Sequence, residues 1–300
     1  MSFWRRALSR NASGFVLALG GGGGRGLAHI GVLQALEEHK LRPSAIVGTS
    51  IGALFGAMYA LSADSQLVRE RVVGFLHSDA FTSLDIPRLE EANGDDETWL
   101  GRLTSAARQT ILYARAASDI SLANVEILSE IAETLCEGKS FADTKIPLYV
   151  TAVEFPGGEC RLFSKGKLST VLAASMAIPG VFDPVKIDNA EYLDGALASE
   201  IPSKEALAVS SSGEIVVAVN VGARPDPEER PTHLLGMMDW ATSVKALYLR
   251  RYEKATADIL IEPLHGYRQW HDFSNSNEEI QRGYDATMEV MPQILKALGR

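Results

Sequence analysis

Two glycine-rich segments near the start of the sequence have residue types and spacing suited to acyl transfer. The pentapeptide Gly48-Thr-Ser50-Ile-Gly52 has the G-x-S-x-G spacing in which a serine occupies a sharp turn between a strand and a helix. The second segment is a run of five glycines, residues 20–24, followed by Arg25 and Gly26. Because glycine has no Cβ, such a run leaves backbone N–H groups open to a developing oxyanion. The first hypothesis is therefore a serine nucleophile beside an oxyanion hole.

The glycine run has two other interpretations, and the surrounding residues disfavour both. Gly21, Gly23 and Gly26 satisfy the G-x-G-x-x-G pattern of dinucleotide-binding folds. That fold also needs an acidic residue at the end of the second strand, where this sequence has Thr49 and Ser50. A phosphate-binding P-loop needs Gly-Lys-Ser/Thr after the run, and none follows. The sequence favours an oxyanion hole.

A serine hydroxyl needs a base to become a nucleophile, and the sequence leaves the identity of that base open. Three of the six histidines, His233, His265 and His271, lie near the C terminus, where any of them would complete the Ser…Asp…His order of α/β-hydrolases. In those enzymes the serine usually follows several strands, whereas here it follows the second. A Ser-His-Asp triad stays as one alternative, and a non-catalytic lipid-binding regulator is another.

The elements that must position these segments alternate between strand and helix. An apolar strand is predicted at 15–19 before the glycine run, a second at 44–47 before Ser50, and an apolar helix at 51–61 after it. Further strands are predicted at 146–154, 160–164, 192–193, 214–221 and 258–262, and helices at 100–117, 125–136, 168–178, 234–254 and 278–298. This alternation predicts an α/β fold in which helices cover both faces of a mainly parallel sheet.

Two segments fall outside this pattern. Residues 78–97 are rich in Ser, Asp, Glu, Pro and Asn and predict a surface loop, which is either a lid or a solvated insertion. Residues 1–14 are predicted to be an N-terminal extension. No linker or internal repeat divides the remainder, so residues 15–300 are expected to form one domain.

Composition restricts the partners and the compartment. With 38 acidic against 29 basic residues and a net charge of -9, the chain is not expected to bind nucleic acid. Two cysteines allow at most one disulfide, and the apolar run at 51–61 is too short to span a bilayer. No metal-ligand spacing is visible, and no cofactor is expected. We expect a cytoplasmic protein or one peripheral at the inner membrane face, with transient contact to the membrane surface.

Four ordered blocks of the sequence resemble those of bacterial patatin-like phospholipases. They are the glycine run within residues 19–33, the serine pentapeptide within 48–53, Ala174-Ser-Met-Ala-Ile-Pro-Gly-Val-Phe182, and Asp194-Gly-Ala196. The resemblance covers residues 15–205. It implies a patatin-like three-layer α/β/α fold with a mainly parallel central sheet.

The same resemblance implies hydrolysis of phospholipids, lysophospholipids or other acyl esters by a Ser–Asp dyad without a cofactor. By position, Ser50 matches the nucleophile and Asp194 the catalytic aspartate. The residues that match the oxyanion loop are Gly21, Gly22, Gly23 and Arg25. The family often has Asn-x-Pro shortly after its Asp-Gly pair, whereas this sequence has Ser199-Glu-Ile-Pro202. The support behind Asp194 is therefore expected to differ.

Overall fold

An eight-stranded sheet lies at the centre of the part of the chain that the computed structural model describes, namely residues 12–82, 124–228, 230–232, 234–263 and 273–300. The strands are β1 (Gly14–Leu19), β2 (Ala45–Thr49), β3 (Leu148–Phe155), β4 (Cys160–Phe163), β5 (Val185–Ile187), β6 (Ala190–Asp194), β7 (Glu214–Val219) and β8 (Ile259–Ile261). Their order is β5-β6-β3-β2-β1-β7-β8, and β4 pairs with β3.

Helices connect most of these strands. They are α1 (Ala28–Glu38), α2 (Ile51–Ser62), α3 (Ser65–Leu76), α4 (Asp79–Thr82), α5 (Glu126–Leu135), α6 (Leu168–Met176), α7 (Ser203–Val209), α8 (Leu234–Lys254) and α9 (Ser276–Ala297). Short 3-10 segments occupy Gly23–Leu27, Phe141–Asp143 and Gly195–Leu197. Most predicted elements match within a few residues, and the helix predicted at 234–254 matches at both ends.

The sheet is mixed, with a parallel central part. Strands β3, β2, β1, β7 and β8 are parallel to one another, as the alternation of strand and helix predicts. Strands β4 and β6 both run antiparallel to β3, and β5 runs antiparallel to β6. Residues 156–159 connect β3 and β4, which form an antiparallel hairpin. The predicted fold class is confirmed.

The two faces of the sheet are covered unequally. Along β1, Phe15, Leu17 and Leu19 point into the larger apolar core, which also contains residues of α1, α2, α6 and α9. The alternate residues Val16 and Ala18 point into a smaller core that includes residues of α7. Side chains in a strand alternate between faces, so the continuous apolar run in β1 serves both layers.

The N terminus is attached to the fold earlier than the sequence predicts. Ala12 is buried, and its N–H donates to the carbonyl of Ala297 at 2.9 Å. Residues 12 and 13, which belong to the predicted N-terminal extension, therefore contact the fold. Residues 1–11, the predicted helix at 100–117 and positions 83–97 of the predicted loop lie outside the described residues.

Two features bear on compartment and membrane contact. Both Cys136 and Cys160 are free thiols. Among the described residues, no helix has the length and the apolar character needed to cross a bilayer.

Helix α9, near the C terminus, crosses α1 at very short range. A Cβ added to Gly283 of α9 would lie 1.8 Å from the carbonyl oxygen of Ala28, and one added to Gly31 of α1 would lie 1.8 Å from the carbonyl oxygen of Ile280. Each helix therefore depends on a glycine for the approach of the other. Because α1 follows the glycine run directly, this crossing also fixes the helix behind that loop.

We predict that Gly283→Ala destabilises the protein. The added methyl must displace backbone, and overpacking of a tight contact costs about 1–3 kcal/mol. The free energy of unfolding in urea measures the effect. Gly74→Ala is the matched control, because Gly74 lies in α3 and its added methyl meets nothing within 4 Å. That control is expected to gain up to about 1 kcal/mol from helix propensity. Equal stability of Gly283→Ala and wild type would contradict the packing argument.

Candidate active site

Strand β3 brings together β2, which precedes Ser50, and β6, which ends at Asp194. Val150 and Thr151 pair with both β2 and β4, so β2 and β4 lie on opposite edges of β3. Ala152 and Val153 pair with both β4 and β6, so β6 also lies opposite β4. Strands β2 and β6 therefore share one edge of β3 and approach each other from opposite directions.

The register places the two candidate catalytic residues at the point where these strands meet. Thr49, the last residue of β2, lies opposite Thr151, and Asp194, the last residue of β6, lies opposite Ala152. Ser50 follows Thr49 directly. Neighbouring positions on β3 thus bring a serine and an aspartate that are 144 residues apart in sequence into contact.

Ser50 has a strained backbone conformation. Its φ of 55° and ψ of -127° are rare for a residue with a side chain. Two glycines make the turn possible. A Cβ on Gly48 would lie 2.4 Å from Ala53 Cα, and a Cβ on Gly52 would lie 2.4 Å from the carbonyl oxygen of Leu19. The G-x-S-x-G spacing therefore serves close packing on both sides of the serine.

A hydrogen bond from a neighbouring helix stabilises this turn. The Ser50 N–H donates to Ser175 Oγ at 2.8 Å, and Ser175 lies near the C-terminal end of α6. The Ser50 carbonyl accepts from the N–H of Ala53 at 2.9 Å at the start of α2. Both polar groups of the strained residue are satisfied, which helps to hold it in this conformation.

Ser50 and Asp194 are joined by a direct hydrogen bond. Ser50 Oγ donates to Asp194 Oδ2 at 2.8 Å, and the other carboxylate oxygen accepts from the N–H of Ala196 at 2.8 Å. Ser50 is 8% exposed and Asp194 4% exposed. Burial raises the pKa of Asp194 to about 7, although both hydrogen bonds oppose the rise. This carboxylate is a stronger base than an ordinary aspartate, and it contacts the proton of a serine hydroxyl.

The glycine run lies directly against Ser50. A Cβ on Gly21 would lie 3.4 Å from Ser50 Cβ. After Gly21 the chain turns through Gly22 and then Gly23, which has a φ of 58°, into the 3-10 segment Gly23–Leu27. The first N–H groups of a helical segment have no acceptor within that segment. Gly22 and Gly23 lie where this helical segment begins, and they directly follow Gly21, which contacts Ser50.

Gly21 and Arg25, which the sequence assigns to the oxyanion loop, both make contacts that hold this loop in place. The Gly21 N–H donates to the carbonyl of Glu200 at 2.9 Å, so Gly21 does not supply a donor to an oxyanion in this conformation. The side chain of Arg25 is directed to the loop after β7, where Nε donates to the Val221 carbonyl at 3.0 Å. Burial lowers the pKa of Arg25 to about 10. Arg25 is still a cation at neutral pH, and it braces the loop.

Helix α8 holds residues 200–201 and Ala223 in place, and Glu200 in turn holds the glycine run. The Glu253 carboxylate accepts the N–H groups of Glu200 and Ile201 at 3.0 and 2.9 Å. Arg250 forms a buried ion pair with Glu200 and donates to the carbonyl of Ala223. Burial raises the pKa of Glu253 to about 7. Glu200, which accepts the Gly21 N–H, is therefore fixed by its backbone and by its side chain.

The segment that departs from the family pattern also supports the strand before Ser50. Thr49 Oγ1 donates to the carbonyl of Ser199 at 2.9 Å and lies 2.7 Å from Thr151 Oγ1. Residues 199–201 thus contact β2 through Ser199 and the glycine run through Glu200. They therefore connect the strand that precedes Ser50 to the glycine run.

The described histidines do not contact Ser50. His29 is buried on α1, and its Nε2 lies 2.8 Å from the Gly20 carbonyl, which places it behind the glycine run. His39 and His77 each contact a carbonyl of their own helix. His233, His265 and His271 lie outside the described residues. The base candidate that the described chain brings to Ser50 is Asp194.

Sequence reasoning missed the residues that hold the site in place. Ser175 lies inside one of the four blocks that resemble the family, so its position there was a usable signal. Arg250 and Glu253 had a weaker signal, namely a charged pair at i, i+3 within a helix next to aliphatic residues. Nothing in the sequence indicates that their partners are Glu200 and Ala223, because these contacts depend on how α8 packs.

Comparisons with known proteins identify the family of this chain. The family model for patatin-like phospholipases matches residues 17–207. A patatin-like phospholipase domain-containing protein of Caenorhabditis elegans is 31% identical over 225 residues, which cover 74% of this chain and 18% of that protein. An uncharacterised NTE family protein of Mycobacterium bovis is 28% identical over 246 residues, which cover 81% of this chain and 56% of that protein.

One solved structure has a similar fold. The crystal structure of VipD from Legionella pneumophila aligns with a TM-score of 0.53 and 17% identity, over 93% of this chain and 66% of that one. At this identity the similarity concerns the fold. The chain spans about a fifth to a little over half of the length of the two relatives described above.

The buried Asp194 predicts a pH-dependent stability. Its pKa is about 7 in the folded protein against an ordinary value of 3.8, so between these limits the folded state holds a proton that the unfolded state has released. The contribution of Asp194 to the stability of the wild type must then fall as the pH rises through this window. Asp194→Asn is neutral throughout and escapes this loss. We expect its free energy of unfolding, relative to wild type, to increase by on the order of 2–4 kcal/mol between about pH 4 and pH 8.

Urea unfolding of both proteins at the two pH values measures this change. Ser50→Ala is the control, since it keeps the buried carboxylate and should keep the pH dependence of the wild type. A difference between Asp194→Asn and wild type that is constant across the window would show that Asp194 ionises normally.

Proposed function

Because the chain belongs to the patatin-like phospholipase family, we propose that it is a lipid acyl hydrolase that uses Ser50 and Asp194 as a catalytic dyad. The substrates are phospholipids, lysophospholipids or related acyl esters. The observation that carries the proposal is the 2.8 Å hydrogen bond from the strained Ser50 to a buried carboxylate. A serine that merely capped α2 would have no need of this partner.

The first step is attack of Ser50 on the acyl carbonyl. Asp194 Oδ2 takes the proton as Ser50 Oγ forms a bond to the carbonyl carbon. The raised pKa of Asp194 suits this role, because a base works best when its pKa is close to the working pH. The hydrogen bond from the Ala196 N–H keeps the carboxylate oriented while its charge changes.

The N–H groups of Gly22 and Gly23 are assigned to stabilise the negative charge that develops on the carbonyl oxygen. They lie at the start of the helical segment Gly23–Leu27 and directly follow Gly21, which contacts Ser50. The Gly21 N–H is already used by Glu200, so its part is to fix the loop. Each well-placed donor of this kind contributes about 3–4 kcal/mol to the stability of the transition state.

The remaining steps return the enzyme to its first state. Protonated Asp194 gives its proton to the leaving alcohol oxygen as the ester bond breaks, which leaves the acyl group on Ser50. Water then attacks the acyl carbon and loses a proton to Asp194, and the fatty acid is released when Ser50 recovers its proton.

The cytoplasmic location and transient membrane contact expected from the sequence remain predictions.

Labelling with a fluorophosphonate tests the two assignments. The wild type should label and should turn over p-nitrophenyl butyrate, whereas Ser50→Ala should do neither. Asp194→Asn should lower kcat at least about 10³-fold, because an amide cannot accept the serine proton. His265→Ala and His271→Ala serve as matched controls and should retain turnover.

Each alternative gives a different result in this experiment. Retained turnover in Asp194→Asn with loss in either histidine variant would replace the dyad by a Ser-His-Asp triad. Equal labelling of Ser50→Ala would exclude Ser50 as the nucleophile. A wild type without labelling or turnover of any short-chain ester would favour a non-catalytic lipid-binding regulator.

The pH dependence of the rate follows from the pKa of Asp194. The base must be deprotonated, so kcat/KM should rise as the pH increases and level off above the pKa of about 7. A histidine base would titrate in a similar range, but imidazole ionisation is endothermic and carboxyl ionisation is nearly athermal. The midpoint should therefore not move on warming. A midpoint that falls with temperature, or a rate that declines through neutrality, would argue against Asp194.

A further inference from the structure

Exposed apolar side chains are concentrated on one helix. Of the eight large hydrophobic side chains that are exposed among the described residues, six belong to α8. These six, which we call the α8 apolar surface, are Leu234, Met237, Met238, Trp240, Tyr248 and Tyr252. Clusters of this kind on a protein with a well-buried core mark interaction sites.

The two ends of α8 differ in how they are held. Near the C-terminal end, Arg250 and Glu253 are buried in contacts with residues 200–201 and with Ala223. In the first nine residues of the helix, every side chain that the structure describes is exposed or half-buried. The C-terminal part is thus fastened to the body, and the N-terminal part presents apolar side chains outwards.

The apolar part of α8 extends beyond the edge of the sheet at which Ser50 lies. Helix α8 lies between the parallel strands β7 and β8 in the chain, and in the usual crossover between two parallel strands the helix runs antiparallel to them. Arg250 contacts the carbonyl of Ala223 shortly after β7 ends, which places Arg250 near the carboxyl edge. Leu234 lies about 24 Å further along the helix at 1.5 Å per residue. The first turns of α8 therefore project on the side from which a substrate reaches Ser50.

The chemistry of this surface matches a lipid–water interface. Aromatic residues with a polar group are favoured at the level of lipid headgroups, and Leu and Met at the level of the first methylenes. The exposed charges of α8 are Lys245 and Arg251 against Asp239, a small positive excess in a chain of net charge -9. The Arg251 guanidinium lies 4.5 Å from the centre of the Tyr248 ring. A phosphate-bearing surface is therefore repelled less by α8 than by the chain as a whole.

We propose that the α8 apolar surface docks the protein on a phospholipid–water interface and turns the carboxyl edge of the sheet, with Ser50, towards the lipid. The inference rests on the proposed function for the identity of the substrate, whereas docking itself needs no turnover. The partner is a lipid surface because the apolar side chains, the basic excess and the projection of α8 from the carboxyl edge of the sheet all favour it.

Vesicle flotation of full-length protein tests the docking. In a Ser50→Ala background, which leaves the lipid intact, the protein should float with phosphatidylcholine vesicles. Adding Met237→Ser, Met238→Ser and Trp240→Ser should weaken the apparent affinity about tenfold or more, and Trp240→Ser alone should weaken it less. The combination Met237→Leu, Met238→Leu and Trp240→Phe is the matched control, since it changes the same exposed positions but keeps them apolar. It should bind like the parent.

Turnover separates docking from catalysis. With Ser50 present, the triple variant should hydrolyse vesicle phospholipid about tenfold more slowly and p-nitrophenyl butyrate at the wild-type rate. Equal vesicle binding by the triple variant and its parent would overturn the proposal. So would a parent that ignores vesicles and forms a dimer in light scattering which the triple variant loses, because the partner would then be a second copy. Flotation that depends on α8 without turnover of any ester would retain docking and reject the proposed function.

Discussion

The structure of the site depends on the edge of β3 along which both β2 and β6 pair. These two strands end opposite neighbouring residues of β3, Thr151 and Ala152. Backbone hydrogen bonds in a sheet fix register to a single residue, and a slip by one residue would turn every side chain to the other face. The contact between Ser50 and Asp194 therefore inherits the precision of the sheet ladder. A loop-borne aspartate would have to lose its conformational freedom separately. The antiparallel direction of β6 is what allows the C-terminal residue of one strand to meet the residue that follows the other.

The site combines two features that oppose stability, and the surrounding contacts offset both. Ser50 has a backbone conformation that costs on the order of 1–3 kcal/mol, and Asp194 is a carboxylate held away from water. The Ser175 hydroxyl accepts the hydrogen bond of the Ser50 N–H. The Asp194 carboxylate accepts hydrogen bonds from the Ala196 N–H and the Ser50 hydroxyl. The same burial that makes the Asp194 carboxylate unfavourable for folding raises its pKa, as the proposed role of Asp194 as a base requires.

Helix α8 lies outside the region that matches the family model, yet it contacts residues 200–201 and Ala223, which support the candidate site. Through Arg250 and Glu253 it fixes residues 200–201, and through Glu200 it reaches the Gly21 N–H. The glycine run therefore owes its position to a helix that lies over two hundred residues later in the sequence. Helix α8 thus presents apolar side chains at the surface of the protein, while Arg250 and Glu253 near its C-terminal end are buried against the segments that hold the glycine run.

The sequence by itself determined the elements that follow from local rules. The periods of the apolar residues predict the parallel strands and most helices, and the G-x-S-x-G spacing together with the glycine run indicates a serine and its oxyanion loop. The resemblance to a family added Asp194. Only the tertiary structure decided the antiparallel direction of β6, the engagement of the Gly21 N–H by Glu200 and the bracing role of Arg25. The last two depend on contacts between residues more than a hundred positions apart, and a local pattern does not record which distant backbone group will become the partner of a given N–H or guanidinium.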